Sequence, residues 1–309
     1  MYRGAPVLRR TDFKGVRIMR GKIALAGLIL ALSGAGAWAQ GSAPTTTQDD
    51  MYCSGVVTTE SMPRDTYLIT GEGSGYKITF QEGDYVYINK GSSQGVKVGD
   101  QFSVIRRVKD PIDEQWTKWQ FSILHAMGTV WQDEGRLRVV VTQPNTAVAQ
   151  VRHSCEYMQR GDLVLPFAEH PAPPLKTETN FDRFAPPSGK TTAMVITGKR
   201  FQVEYGTDDI VYVNLGSQQG VKVGDYFRVF RYAGTEHQTQ YQTPRFAFDA
   251  DGYLGVYGFG SVPAKYKWDN VPREVIGEGI VVRTGTNSST VMITFSLREI
   301  YAGDYVEVE

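Results

Sequence analysis

The sequence predicts a mainly β protein: two tandem small β-barrel modules, joined by a proline-rich linker, with one short helix in the first module. The main observation is a repeat, because residues 86–106 and 211–231 are identical at 15 of 21 positions with a constant offset of 125. Self-similarity at one long spacing indicates a duplicated supersecondary unit. In both copies β-branched and aromatic residues alternate in short segments separated by Gly, Asp or Ser, as is typical of strands and tight turns. Between the copies, residues 167–191 are dense in proline and aperiodic, which predicts an extended linker that separates the modules without tying them together.

Residues 1–39 have the pattern of a secretory signal peptide. A basic region ending at Lys22 precedes about ten apolar residues at 23–32, and a small-residue cleavage signal ends at Ala39. An amphipathic surface anchor is the alternative, but the cleavage signal favours export. The apolar run is too short to span a bilayer, which takes about 20 residues. Residues 40–50 are small and polar, so we expect a disordered leader.

The charge balance of the exported chain excludes one class of partner. After cleavage, 26 Lys and Arg residues remain against 32 Asp and Glu residues, a net charge of about −6. Proteins that bind nucleic acid through its phosphates need clustered positive charge, which the sequence after the signal does not show. That sequence also contains no second apolar run long enough to cross a membrane.

The chain has two cysteines, Cys53 and Cys155, at opposite ends of the first repeat region. Disulfides persist in the compartments to which exported proteins travel, so we expect these cysteines to bond. The bond would close a loop of about 100 residues and contribute up to about 4 to 5 kcal/mol by the chain-entropy account. Two buried, unpaired thiols are the alternative.

A Gly-Asp dipeptide followed by alternating apolar residues occurs five times. Glycine supplies a positive-φ turn position, and the Asp side chain can accept backbone N–H groups that the turn leaves open. We therefore interpret these carboxylates as structural turns and not as a catalytic or metal-binding set. The turns are Gly83-Asp84, Gly99-Asp100, Gly161-Asp162, Gly224-Asp225 and Gly303-Asp304.

The similarity extends beyond the opening match and defines two modules, residues 51–166 and 192–309. Residues 145–162 align with 287–304 at an offset of 142, so the second copy carries about 17 extra residues between the matched parts. The inserts differ between the copies. Residues 113–127 space apolar side chains by three and four, which predicts one short helix, and residues 241–268 predict a hairpin or an irregular loop.

The sequence offers no catalytic or metal-binding constellation, and we expect no cofactor. Its four histidines are scattered, and none has a partner at ligand spacing. Asp249 and Asp251 resemble the start of a calcium loop. However, Tyr253 and Gly260 stand where oxygen ligands would follow, so a turn is the better interpretation.

A surplus of aromatic residues in the inserts is the one hint of function. Aromatic side chains with a polar group suit flat interfaces with a protein or a sugar ring. The alternative is that they cap a small core that glycine-rich strands fill poorly. The candidate interface residues are Trp116, Trp119, Trp131, Tyr241, Tyr257 and Trp268.

The repeated core, G-x-x-Q-G-V-K-V-G-D followed by F-x-V-x-R, resembles the SH3-like small barrels at the C-terminal end of flagellar assembly protein T. It also resembles uncharacterised exported bacterial proteins, some of which continue into a LysM peptidoglycan-binding module. The resemblance covers residues 82–108 and 207–233, and it implies two SH3-like modules. The sequence ends at Glu309 without a LysM module, so wall binding is not carried over. A PDZ-like interpretation of residues 95–100 lacks the long helix that flanks a peptide groove.

These observations predict a non-enzymatic scaffold or adaptor of the bacterial cell envelope, in the periplasm or on the outer surface. Its partner would be an envelope protein. The alternative is a protein that binds peptidoglycan or another polysaccharide through its aromatic residues. An enzyme is a third possibility, which would require a cleft shared by two carboxylates from different Gly-Asp turns.

Overall fold

In a computed structural model the protein is mainly β, and a half-barrel is followed by a closed six-stranded barrel. The structure describes residues 45–73, 75–111, 115–177, 181–232 and 272–309. The predicted signal peptide and the predicted hairpin or loop at 241–268 lie outside these ranges. No helix among the described residues is long and apolar enough to cross a membrane.

The half-barrel is the first module, and all its strand pairs are antiparallel. Its strands are β1 (Val56–Thr58), β2 (Leu68–Gly71), β3 (Thr79–Phe80), β4 (Tyr85–Ile88), β5 (Gln101–Arg107), β6 (Thr129–Thr142), β7 (Ala147–Ser154), β8 (Met158–Gln159) and β9 (Leu163–Pro166). The sheet order is β2-β4-β7-β6-β5-β9, β1 pairs with the start of β6, and β3 pairs with β8. An isolated bridge between Tyr67 and Leu163 joins its first and last strands, with backbone hydrogen bonds beside it from Leu68 N–H to the Asp162 carbonyl and from Val164 N–H to the Thr66 carbonyl, both 2.9 Å.

The second module repeats this order of strands and closes completely. Its strands are β10 (Thr192–Gly198), β11 (Glu204–Tyr205), β12 (Ile210–Val213), β13 (Tyr226–Arg231), β14 (Glu274–Thr284), β15 (Ser289–Ser296), β16 (Ile300–Tyr301) and β17 (Tyr305–Val308). The barrel order is β10-β12-β15-β14-β13-β17, and β10 pairs with β17 over three residues. In both modules a short turn of 3-10 helix, Ser92–Gln94 or Ser217–Gln219, ends at the first residue of the Q-G-V-K-V-G-D core, and the next strand follows that core.

Each module encloses its own apolar core. Successive side chains of a strand point to opposite faces, so alternate residues of the repeated segments enter the interior. Val86 and Ile88 lie in the first core, and the equivalent Val211 and Val213 lie in the second. The repeated sequence is therefore used in both modules for the same packing.

The Gly-Asp turns have the geometry that their residue types predict. Gly99 and Gly224 adopt φ angles of 96° and 93°, a region that glycine enters without a Cβ penalty. The backbone N–H of Lys97 donates to Asp100 Oδ2 at 2.8 Å, and that of Lys222 donates to its equivalent Asp225 at the same distance.

Part of the predicted disordered leader is ordered, which corrects that prediction for residues 45–50. Helix α1 (Gln48–Tyr52) begins there, and Thr47 and Asp50 form a reciprocal capping box at its first turn. Met51 is buried against Ile280, Val282 and Met292 of the second module. The apolar site that orders this segment is more than 200 residues away in the sequence, so local composition could not indicate it.

The predicted helix at 113–127 is shorter than expected. Helix α2 (Gln120–Met127) covers eight residues, residues 115–119 are not helical, and residues 112–114 are outside the described part. Trp119, the residue before the helix, has a φ of 68°, which is not a right-handed helical angle, so the helix cannot begin earlier. Met127, at the other end, is buried between the modules with Val57 and Ile196.

The two modules pack directly against each other within one compact unit from residue 43 to residue 309. The buried Tyr212 hydroxyl donates to the Ser54 carbonyl at 3.0 Å. Arg283 and Asp133 form an ion pair across the interface at 2.8 Å. An apolar cluster shared by both modules lies beside these polar contacts. The expected separation of the modules is therefore not what the structure has.

The described part of the proline-rich segment forms no helix or strand, and it docks on the second module. The Val275 N–H donates to the Arg183 carbonyl at 2.8 Å, and Arg273 donates to the Pro186 carbonyl at 2.7 Å. Ala185 is buried beside Phe230. Backbone carbonyls of the proline-rich segment thus accept hydrogen bonds from the second module, so the segment packs on the module that follows it.

The predicted disulfide between Cys53 and Cys155 is present, with Cα atoms 5.3 Å apart and a sequence separation of 102. Cys53 directly follows α1, which packs on the second module, while Cys155 follows β7 of the first. The bond therefore anchors the N-terminal segment to the first module at the point where it also contacts the second.

Candidate functional site: an arginine-lined cavity

At equivalent positions, both modules contain a pair of a partly buried arginine and a buried aspartate. Arg106 donates from Nε and Nη2 to the two carboxylate oxygens of Asp162, both at 2.7 Å. The equivalent Arg231 donates to Asp304 in the same way, at 2.7 and 2.6 Å. Two parallel bonds to a charged acceptor fix both geometry and orientation. Each Asp belongs to a Gly-Asp turn, so the duplicated turn also holds an internal charge pair.

In the second module, aromatic rings fill the space beside this pair. Phe230 and Tyr305 are opposite each other on β13 and β17, with ring centroids 5.7 Å apart. Tyr232 packs edge-on against both rings, at 5.5 and 5.6 Å. Ala185 of the proline-rich segment completes this cluster. The region is therefore closed by the chain's own side chains.

The first module has smaller or more polar residues at the equivalent places. Ile105 and Leu163 are opposite each other on β5 and β9, where the second module has Phe230 and Tyr305. Arg107 stands where the second module has Tyr232. A cavity of about 330 Å³ remains. It is lined by Arg64, Ile105, Arg106, Arg107, Trp131, Gln159, Arg160, Gly161, Asp162 and Leu163.

The cavity lining is strongly positive. Four arginines line it against one carboxylate, that of Asp162, which Arg106 already pairs. Within the part of the chain that the structure describes, Arg64 and Arg107 form no ion pair with a carboxylate. A concave surface lined by one sign of charge concentrates the opposite ion. Chemically, the arrangement is suited to hold an anion.

A second acid lies behind Arg106 without being engaged by hydrogen bonds. Glu134 is fully buried, its Oε2 is 3.4 Å from Arg106 Nη2, and neither carboxylate oxygen has a hydrogen-bond partner in the described structure. Burial raises the pKa of Glu134 to about 8, although Arg106 opposes the shift. Near neutral pH this side chain is therefore mostly protonated, and Asp162 is the carboxylate that balances the charge of Arg106. The second module has Ile276 at the equivalent position.

Trp131 was a candidate for an exposed interface, and that expectation is wrong. Its side chain is only 4% exposed and packs with Val56 and Ile105. The reason is β1, which pairs across the start of β6 and covers the ring. Trp131 nevertheless lines the cavity, and its indole N–H has no hydrogen-bond partner among the described residues.

The other candidate aromatics do not join this site. Trp119 is 63% exposed, with the Lys118 ammonium 5.6 Å from its ring centroid, and Trp116 is half-buried beside it. Both remain candidates for a separate surface next to α2. Tyr241, Tyr257 and Trp268 lie outside the described residues.

One group of side chains has the composition of a metal site. The sulfurs of Cys53 and Cys155 and a ring nitrogen of His153 lie within 4.8 Å of one another. Asp49 Oδ1 is 3.0 Å from His153 Nε2. Both sulfurs are used by the disulfide, and the thiolate, not the disulfide, is the metal ligand. In its oxidised form this group therefore holds the N-terminal segment and does not offer a set of ligands.

Sequence reasoning missed Arg64, Arg107, Arg160 and Glu134. A signal existed for two of them: Arg107, next to the shared Arg106, and Arg160, two residues before the shared Asp162, align with Tyr232 and Ala302 of the second copy. The shared residues indicated the scaffold, whereas these unshared neighbours form the cavity. A search against protein-family models gave no match, and a search of curated proteins gave none either.

Proposed function

We propose that this chain is a non-enzymatic scaffold or adaptor of the bacterial cell envelope, built from two SH3-like β modules. A signal peptide at residues 1–39 would export it to the periplasm or the outer cell surface. The observation that carries the proposal is the direct packing of the two modules, including the Arg283–Asp133 ion pair and the docked proline-rich segment. Such packing holds two barrel surfaces in a fixed relation, which is what an adaptor needs to position partners.

The surface beside α2 supports a protein partner. Trp119 presents most of its ring to solvent, and exposed aromatic side chains are frequent anchors of interfaces. Val98 provides a matched comparison in the same module, since it is 65% exposed but lies at the turn before β5.

The proposal is tested by photo-crosslinking in cells that express the full chain. A crosslinking amino acid at position 119 should yield a defined protein adduct in the envelope fraction, and the same amino acid at position 98 should not. The scaffold proposal would be abandoned if neither position, nor chemical crosslinking of the wild-type chain, gave any protein adduct.

A polysaccharide partner is the second candidate, because an exposed indole ring with a nearby ammonium group also suits a sugar face. Sedimentation with purified peptidoglycan distinguishes it. The chain should then co-sediment, Trp119→Ala should abolish co-sedimentation, and Val98→Ala should not. Absence of co-sedimentation by the wild-type chain would reject this candidate.

A further inference from the structure

We propose that the arginine-lined cavity of the first module binds a small oxyanion, a carboxylate or phosphate group, through Arg64, Arg106 and Arg107. This inference goes beyond the scaffold role and does not depend on it. It concerns the space between β5 and the turn that joins β8 to β9, where the lining residues of the first module differ in size and charge from their equivalents in the second.

The second module shows how the region beside the Arg–Asp pair is packed when side chains fill it. There the same frame of strands and the same buried Arg–Asp pair are packed by Phe230, Tyr232 and Tyr305. The sequence can therefore close this region with its own rings. Protein interiors are normally packed as densely as organic crystals, and an unfilled space loses dispersion contacts. In the first module the space is left open and its edges are made basic.

Several hydrogen-bond donors of the arginines at the cavity have no partner among the described residues. Arg106 uses Nε and Nη2 for Asp162 and for the Tyr157 carbonyl, and its Nη1 makes no hydrogen bond within the described structure. Arg64 and Arg107 are exposed at the cavity and have no carboxylate partner among the described residues. The planar fork of a guanidinium group matches the oxygens of a carboxylate or a phosphate.

The positive charges around the cavity also favour a bound anion. Like charges held around one concave surface repel each other, and a bound anion removes that repulsion. Glu134 does not substitute for such an anion, since it lies behind Arg106 and forms no hydrogen bond to it. Trp131 also lines the cavity, and its buried indole N–H has no acceptor among the described residues. Leaving a buried donor unpaired costs free energy. An oxygen-rich ligand supplies acceptors to these groups.

The test uses isothermal titration calorimetry of the mature chain with inorganic phosphate and, separately, with D-galacturonate, at constant ionic strength set with chloride. We expect saturable binding of at least one probe, and the stronger one assigns the ligand as a phosphate or a carboxylate. Arg64→Gln combined with Arg107→Gln should weaken that binding at least tenfold. Both positions are exposed, so this variant should keep its fold by circular dichroism.

Two further variants make the test specific to the cavity. Ile105→Phe, Arg107→Tyr and Leu163→Tyr together copy the second module and should abolish binding by filling the space. Arg152→Gln is the matched control, because Arg152 is an exposed arginine of the first module that bonds Gln150 outside the cavity. The proposal is overturned if the wild-type chain binds neither probe, or if Arg152→Gln weakens binding as much as the cavity variants do. Neither result would affect the crosslinking test of the scaffold role.

Discussion

The two modules of this chain share a frame but differ in how they complete it. Both hold a bidentate pair, Arg106 with Asp162 or Arg231 with Asp304. The second module surrounds its pair with stacked rings and closes its barrel by strand pairing. The first leaves a cavity, adds a buried acid and joins its first and last strands through one bridge and a few backbone hydrogen bonds. The comparison teaches that the two copies share the parts needed for folding, while the neighbouring positions differ and decide whether the space beside the ion pair is filled or left open.

The largest expected effect concerns the disulfide, which only the first module has. Replacing Cys53 and Cys155 together by Ala should lower the free energy of unfolding by about 4 to 5 kcal/mol, because a closed loop of 102 residues restricts the unfolded chain. Urea denaturation of the mature protein measures the change. Reduction of the wild-type protein should produce a similar loss, and a loss below about 1 kcal/mol in both cases would contradict the prediction.

The buried ion pairs should differ between modules when one partner is removed. Asp304→Ala leaves Arg231 without a counter-charge and should cost about 3 to 5 kcal/mol of stability. Asp162→Ala should cost less, since Glu134 stands 3.4 Å from Arg106 and can ionise to replace the lost carboxylate. Urea denaturation compares the two variants.

Asp225→Ala is the matched control for that comparison. Asp225 bonds the Lys222 N–H at its turn but has no buried arginine, so its loss should cost only about 1 kcal/mol. An equal cost for all three variants would mean that the turn bond, and not the ion pair, provides the stability.

Glu134 should make the first module sensitive to pH. Its folded-state pKa is raised from 4.5 to about 8, so the stability that its protonated form contributes is fully present below pH 4.5 and is lost as the pH rises through 8. Glu134→Ile copies the second module. It should therefore stabilise the protein at pH 8 by about 3 kcal/mol and flatten the dependence of stability on pH between 5 and 8.

Chemical denaturation at a series of pH values measures this effect. Glu134→Gln serves as the control, because it removes the titration but keeps a buried polar group, so it should flatten the pH dependence with less stabilisation. An unchanged slope in either variant would show that Glu134 does not titrate in this range.

The smallest expected effect is at the repeated turns, where the two modules should behave alike. Gly99→Ala and Gly224→Ala force a Cβ into φ angles of 96° and 93° and should each cost about 1 to 2 kcal/mol. No described atom lies within 4 Å of a Cβ at Gly99, so strain of the backbone accounts for its cost. Thermal denaturation measures both variants, and a difference above about 1 kcal/mol between them would show that the turns are not equivalent.

Much of the fold could be predicted, and the limits are instructive. The alternation around Val86 and Val211 predicted strands correctly because a strand's period of two is a local property. Trp131 shows the opposite case: its place in an insert suggested exposure, but β1 arrives from 70 residues earlier and covers it. The helix before Met127 was placed correctly at its end and too long at its start, because spacing alone does not indicate where Trp119 breaks the pattern.

The sequence by itself determined the repeated strands, the Gly-Asp turns and the pairing of Cys53 with Cys155. These depend on local rules of backbone conformation and on there being only two cysteines in the sequence. Only the tertiary structure decided the direct packing of the modules, the order of residues 45–50 and the arginine-lined cavity. The physical reason is that each of these is set by which side chains from distant segments share one space, and by whether their volumes and charges fill it.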